Sequence, residues 1–217
     1  MTRIPLRAQP LGDSAVTIVF ATERSDETLR RIHAVARALV TARVPNVEDV
    51  VPAYLTLAAF YDPQHVAYTE IAQQLLDACN HASDSIIDAA PREHRIPVWY
   101  DGVDLEAVSN ATGLQVDEII ALHQSRTYTV DLLGFVPGFA YLSTLDNAIQ
   151  LPRRPQPRSR VAAGSVAIAG AQTAVYPLDT PGGWHIIGHT ETVMFDPARE
   201  PPALLSPGDT VRFESAA

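Results

Sequence analysis

Between Pro152 and Arg160 the chain reads PRRPQPRSR and presents four guanidinium groups, Arg153, Arg154, Arg158 and Arg160. The prolines discourage helix and stiffen the segment, so the arginines are expected to project from an extended loop. Arginine's planar fork grips two oxygens of a carboxylate or phosphate at once. Between Asp146 and Asp179 there is no acidic residue, although the whole chain carries a net charge of −9. A strongly acidic protein that keeps one stretch purely cationic fits the presentation of that stretch to an anion. A solvated basic loop, or a patch for a protein partner, fits the same composition.

Two further clusters flank this one. Gly134 to Leu142 reads GFVPGFAYL. Its glycines let backbone approach a ligand closely, and Phe135, Phe139 and Tyr141 would form an apolar wall. A barrel-closing turn with core aromatics is the competing reading. Gly164 to Gly188 reads GSVAIAGAQTAVYPLDTPGGWHIIG. There Gln172 and Thr173 stand in an apolar stretch, where an amide and a hydroxyl can orient a small polar ligand without titrating. Trp184 leaves the Pro181-Gly182-Gly183 turn. Ordinary sheet hydrogen bonding would use the same two polar groups.

Some chemistry is excluded. All 16 basic residues are arginine, so this chain holds no biotinyl-lysine, Schiff-base lysine or P-loop lysine. HExxH, GxSxG, CxxC and GxGxxG are all missing, and His185 and His189 lie in strand-and-turn context that does not put them on one face. No metal ligands are expected. The single cysteine, Cys79, ends an apolar helical pattern and reads as a buried, inert thiol, in keeping with a reducing cytoplasm. The net charge argues against nucleic acid and anionic membrane as partners. No apolar run reaches the roughly 18 residues that a membrane-crossing helix needs, and Met1 to Pro10 lacks the apolar core of a signal peptide.

These clusters need elements to hold them. Ala15 to Phe20 is a branched, apolar strand. Ser25 and Asp26 are N-cap candidates before Leu29, Ile32, Val35 and Leu39 at helical spacing, and Pro45-Asn46 ends that helix. Tyr54 to Tyr61 is a second strand, closed by Asp62-Pro63, and Tyr68 to Cys79 a second helix. Two strand–helix units predict a small α/β sandwich with helices on one face of its sheet, over residues 1–90. Asn80 to Pro91 reads as a linker. In residues 91–217, Arg95 to Tyr100 is a strand, Asp104 caps a short helix that Gly113 ends, and Val116 to His123 is another helix. Short strands follow over Tyr128 to Leu133, Ser165 to Ala169, Gln172 to Tyr176, Trp184 to Ile187, Thr192 to Phe195 and Thr210 to Phe213. Such close-set strands with Gly and Pro turns favour a closed barrel. The expected class is α+β.

Over Leu114 to Gly188 the chain resembles the family of 5-oxoprolinase B subunits, also called KipI-like or allophanate hydrolase subunit 1. The resemblance rests on His123, Tyr128, the GF-PGF-YL run from Gly134, Pro152-Arg153-Arg154, Pro157-Arg158, Ala163-Gly164-Ser165-Val166, Ile168-Ala169-Gly170, Gln172-Thr173, Tyr176-Pro177 and Pro181 to Trp184. It continues to the Pro207-Gly208-Asp209 turn and extends more weakly to Leu11 to Ala15. The chain departs where the family usually has proline before Ala163, arginine at His189, and glycine at Ala171 and Ala174.

The resemblance implies a small N-terminal α/β domain followed by a cyclophilin-like β-barrel. It also implies ATP-dependent opening of the lactam 5-oxoproline to glutamate beside C-type and A-type subunits. An allophanate or other urea-derived amide, and restraint of a sporulation histidine kinase, are the family's other outlets. Arg153, Arg154 and Arg158 are then expected to supply charge. Phe135, Phe139, Tyr141, Gly164, Ser165, Gln172, Thr173, Tyr176 and Trp184 are expected to surround the ligand. ATP would be shared with a partner subunit, with magnesium entering only through the nucleotide. With no acidic residue near them in sequence, the arginines are expected to matter for turnover and hardly for folding.

Overall fold

The computed structural model describes residues 4–84 and 91–216, and by its internal contacts the chain divides into two compact units, Met1–Ala90 and Pro91–Ala217. The first unit contains β1 (Arg7–Pro10), β2 (Ala15–Val19), α1 (Asp26–Ala42), β3 (Val47–Pro52), β4 (Thr56–Tyr61) and α2 (Tyr68–Asp84). Its four strands are all antiparallel, in the order β1-β2-β4-β3. Val16 and Ile18 of β2 and Leu57, Ala59 and Tyr61 of β4 alternate inward and form one core with Ile32, Val35 and Leu39 of α1 and Ile71 and Leu75 of α2. Ser25 caps α1 by accepting the Thr28 N–H at 3.1 Å, as its sequence predicts. The edge strands β1 and β3 escape a sequence reading because exposed polar residues and proline interrupt their alternation. Cys79 is fully buried, and burial pushes its thiol up to about 12. The expected linker is only partly described: α2 continues to Asp84, and residues 85–90 lie outside the described residues.

The second unit runs β5 (Glu93–Val98), α3 (Leu105–Thr112), α4 (Val116–Gln124), β6 (Tyr128–Leu133), β7 (Ala140–Ser143), β8 (Arg158–Val161), β9 (Ser165–Ala169), β10 (Gln172–Val175), β11 (Thr180–Gly182), β12 (His185–His189) and β13 (Thr210–Ser215). Seven of these strands form one sheet in the order β12-β9-β10-β7-β6-β13-β5, while β8 and β11 make a separate pair. The seven-stranded sheet closes on itself. Just past β5, Trp99 exchanges both backbone hydrogen bonds with His189 of β12 at 2.9 Å, and the N–H groups of Gly102 and Asp104 donate to Ile187 and Ile186. Its two edges therefore satisfy each other. Ile96, Val130, Leu142, Val166, Ile168, Val175, Ile187 and Phe213 fill the barrel, together with Leu105 and Val108 of α3 and Ile119 of α4.

The α+β class and the barrel are as expected. The segment Thr192 to Phe195 is not a strand; among the described residues its only ladder contact is the Phe195–Ala203 bridge. Conversely, the arginine segment is not wholly loop, since Arg158–Val161 pairs with β11. Among the described residues no helix is long and apolar enough to cross a membrane.

Candidate functional site

One face of β9 and β10 carries small residues, with Ala167, Ala169 and Ala174 all buried in a second, smaller core to which β12 adds Ile186. Phe139 lies in that core, only 1% exposed. Its ring meets Phe135, Tyr141, Tyr176 and Trp184 edge-on at centroid distances of 5.4, 5.0, 5.3 and 5.7 Å. The expected aromatic wall thus divides in two. Phe139 is a packed plug, whereas Phe135 is 59% exposed and Tyr141 half-buried. The Tyr176 hydroxyl reaches Gly182 so closely that a Cβ there would stand 2.3 Å from it. Burial raises the Tyr176 hydroxyl above its ordinary range, opposed by the Trp184 backbone N–H and by the charges of Arg153 and Arg158.

The arginines are held by an acid far away in sequence. Asp104, 2% exposed, accepts Arg154 Nη1 at 2.7 Å and both terminal nitrogens of Arg158 at 2.9 and 2.7 Å. It also accepts the backbone N–H of Ile186 at 2.7 Å. The expected N-cap role is therefore corrected: its side chain makes no cap hydrogen bond to α3. Burial alone would raise the Asp104 carboxyl, but the Arg158 hydrogen bond, the Ile186 N–H and the two guanidinium charges hold it below the usual carboxylate range. Arg160 is paired too, with Asp179 at 2.5 and 2.8 Å. Three of the four arginines thus already hold a carboxylate of this chain. Arg153 is exposed and has no ion-pair partner among the described residues. Its neighbours are tied down: His185 Nε2 donates to the Pro152 carbonyl at 2.9 Å, and the Arg154 N–H donates to Gly183 at 2.7 Å.

The remaining expected residues do not all gather here. Thr173 points through β10 into the barrel, fully buried, where its hydroxyl donates to the Ala167 carbonyl at 3.0 Å and accepts from His123 Nε2 at 2.8 Å. That leaves His123 Nδ1 to accept from the Tyr100 hydroxyl at 2.7 Å, so the network permits one neutral tautomer. The His123 ring also stacks on Phe213 at 4.6 Å. Gln172 stands at the opposite end of β10 from Tyr176, in register with Ser143 and Ala169. Gly164 and Ser165 serve through backbone. The Gly164 N–H donates to Tyr176, and a Cβ on Gly164 would meet the Thr190 carbonyl at 2.4 Å. His189 stacks on Trp99 at 5.1 Å and contacts Asp101 at 2.8 Å, so it braces the barrel's closure. Also unforeseen is the buried Asp131 carboxylate, which accepts the Ser143 hydroxyl.

Complete burial pushes His123 down to about 3, against an ordinary value of 6.5. The unfolded chain therefore takes up a proton, as pH falls from about 6.5 towards 3, that the folded chain refuses. The stability this group contributes is present above pH 6.5 and is lost as pH falls towards 3, at up to ~1.4 kcal/mol per pH unit. Urea unfolding of wild type and His123→Gln at pH 7 and pH 5 checks this. The loss between the two pH values is expected to be smaller in the variant, and identical losses would contradict it.

The carboxyltransferase domain family, subdomains C and D, matches residues 6–205. Among curated proteins, the 5-oxoprolinase B subunit of Escherichia coli O157:H7 is 40% identical over 211 residues, covering 95% of this chain and 94% of its own. The Bacillus subtilis strain 168 protein of the same name is 36% identical over 218 residues, covering 94% and 90%. Of solved structures, TTHA0988 superposes with a TM-score of 0.82 at 41% identity over 94% of this chain. The chain spans only 40% of the length of TTHA0988.

Proposed function

Because the chain belongs to the carboxyltransferase subdomain C and D family and, within it, to the 5-oxoprolinase B subunits, we propose that it is the B-type component of an ATP-dependent 5-oxoprolinase. It acts in the cytoplasm beside C-type and A-type partners. The observation that carries this reading is the match to 5-oxoprolinase B subunits along nearly the whole length of both chains. A lactam carbonyl is a poor electrophile. Phosphoryl transfer from ATP to its oxygen gives an imidate whose carbon water can attack, and the chemistry then rests on positioning and on cationic groups around the phosphoryl oxygens.

The geometry supports a shared site. Arg154 and Arg158 are both engaged by Asp104 and Arg160 by Asp179, so among the described residues Arg153 is the one arginine of this segment without an ion-pair partner, too little charge for a nucleotide's phosphates. The cationic surface for the phosphates, and magnesium brought by the nucleotide, come from the partner's side.

The test is 5-oxoproline-dependent ADP release by the purified chain, by each partner alone, and by the full assembly. Turnover is expected only in the assembly. Substantial turnover by the chain alone would sink the shared-site reading. An assembly that hydrolyses ATP with allophanate, and not with 5-oxoproline, would replace the substrate.

A further inference from the structure

We infer that Arg153 is the residue that meets the carboxylate of the ligand, and that Asp104 is a positioning residue which aims it by immobilising Arg154 and Arg158. This rests on the proposed function for the identity of the ligand. It changes the roles of the cluster, because three arginines acting alike become one contact and two supports.

The division follows from charge satisfaction. A guanidinium that already grips a buried carboxylate, as Arg158 grips Asp104 through two nitrogens, cannot turn to a second anion without stranding the first. Arg154 is tied to the same carboxylate by Nη1 alone, and its Nε, which has no hydrogen-bond partner among the described residues, is buried away from a ligand. Arg153 has no such commitment among the described residues, yet its backbone is not loose. The Pro152 carbonyl before it is held by His185, and the Arg154 N–H after it is held by the Gly183 carbonyl. Asp104 then clamps the side chains at Arg154 and Arg158 on the same segment, and is itself tied to β12 through Ile186. A cation on a segment fastened at both sides loses little further freedom when it binds an anion.

The surroundings match the rest of such a ligand. Next to Arg153, the Arg154 N–H is bonded to the Gly183 carbonyl, and Trp184 beside Gly183 packs edge-on to Phe139, as Tyr176 does. Phe139 carries the half-buried Tyr141 and the exposed Phe135 at its edges. A small monoanion with a flat five-membered ring would place its carboxylate on Arg153 and its ring on those aromatic faces. Nothing in this arrangement asks Arg154 or Arg158 to touch it.

Equilibrium dialysis of radiolabelled 5-oxoproline against the assembled complex, with steady-state kinetics on the same samples, tests the assignment. Arg153→Ala is expected to weaken 5-oxoproline binding at least about tenfold, as loss of a charge-assisted hydrogen bond should, and to leave the thermal midpoint and the KM for ATP unchanged. Arg153→Lys is expected to recover part of the affinity. Asp104→Asn is expected to raise the KM for 5-oxoproline about tenfold per folded complex, and Asp104→Glu to restore part of it. A purely structural Asp104 would lower the folded fraction and leave KM alone; that result would overturn the positioning role. Unchanged affinity in Arg153→Ala would overturn the contact, whatever the turnover. If the wild-type complex binds 5-oxoproline but does not turn it over, the proposed function fails while the Arg153 arm still decides this inference. If it does not bind 5-oxoproline at all, both fail.

Discussion

A single methyl group on Gly102 is expected to unfold the barrel. A Cβ there would lie 2.2 Å from the carbonyl carbon and 2.4 Å from the Cα of Ile187, with the Ile186 oxygen at 2.3 Å. These are backbone atoms of β12, not the ends of flexible side chains, so relief requires the two edges of the sheet to part. Parting them breaks the Gly102–Ile187 and Asp104–Ile186 hydrogen bonds and pulls Asp104 away from its arginines. Gly188 stands in the same seam, its Cβ position 2.4 Å from the Trp99 oxygen. Gly102→Ala is therefore expected to cost more than about 4 kcal/mol, the range reserved for a named structural failure. Gly12→Ala is the control. Gly12 has φ +63 but open space around it, so only the left-handed backbone cost of roughly 1 kcal/mol applies. Urea unfolding of both variants separates them, and a Gly102→Ala protein as stable as Gly12→Ala would show that the seam does not hold the barrel closed.

Arg158→Ala is expected to lower the thermal midpoint, contrary to what an arginine loop without neighbouring acids suggests. Removing it leaves the nearly inaccessible Asp104 carboxylate with Arg154 and the Ile186 N–H alone. Breaking one side of a buried ion pair costs about 3–5 kcal/mol when no other partner remains. With two contacts kept, a loss of about 2 kcal/mol is expected, or roughly 8 °C in a unit of this size. The sign with pH follows from Asp104. Its carboxyl is held below its ordinary 3.8 in the folded chain, so its contribution is present above that value and is lost as pH falls through the folded value. The destabilisation by Arg158→Ala is therefore expected to be full at pH 7 and to shrink below pH 3.8. A triple variant, Asp104→Leu with Arg154→Met and Arg158→Met, is expected to recover most of the stability, because well-packed apolar groups can replace a buried ion network. It should not recover turnover. An unchanged midpoint for Arg158→Ala at pH 7 would mean that the Asp104 pair adds nothing to folding.

Sequence alone determined a good deal. Its ordered motifs place the chain in its family, and local periodicity places α1 behind its Ser25 cap and β9 at Ser165 to Ala169. Both kinds of signal are local: a cap and an alternation are complete within one element. The density of arginine around Arg153 was equally legible. What those arginines do was not, because Asp104 lies 50 residues from Arg154 and 54 from Arg158. Asp104 before a short helix also carries the same local signature whether it caps the helix or serves a distant cation. Thr173 shows the same limit. Its neighbours in sequence do not say which side of the sheet faces His123, and register in a closed barrel sends its hydroxyl inward while Ala174 beside it faces the aromatic cluster. Closure itself depends on Trp99 meeting His189, a pairing decided only once the strands between them have curled the sheet until its edges touch. Ion pairs across that seam are consequences of topology, so only the tertiary structure could separate the arginines that Asp104 holds from Arg153, which has no such partner among the described residues.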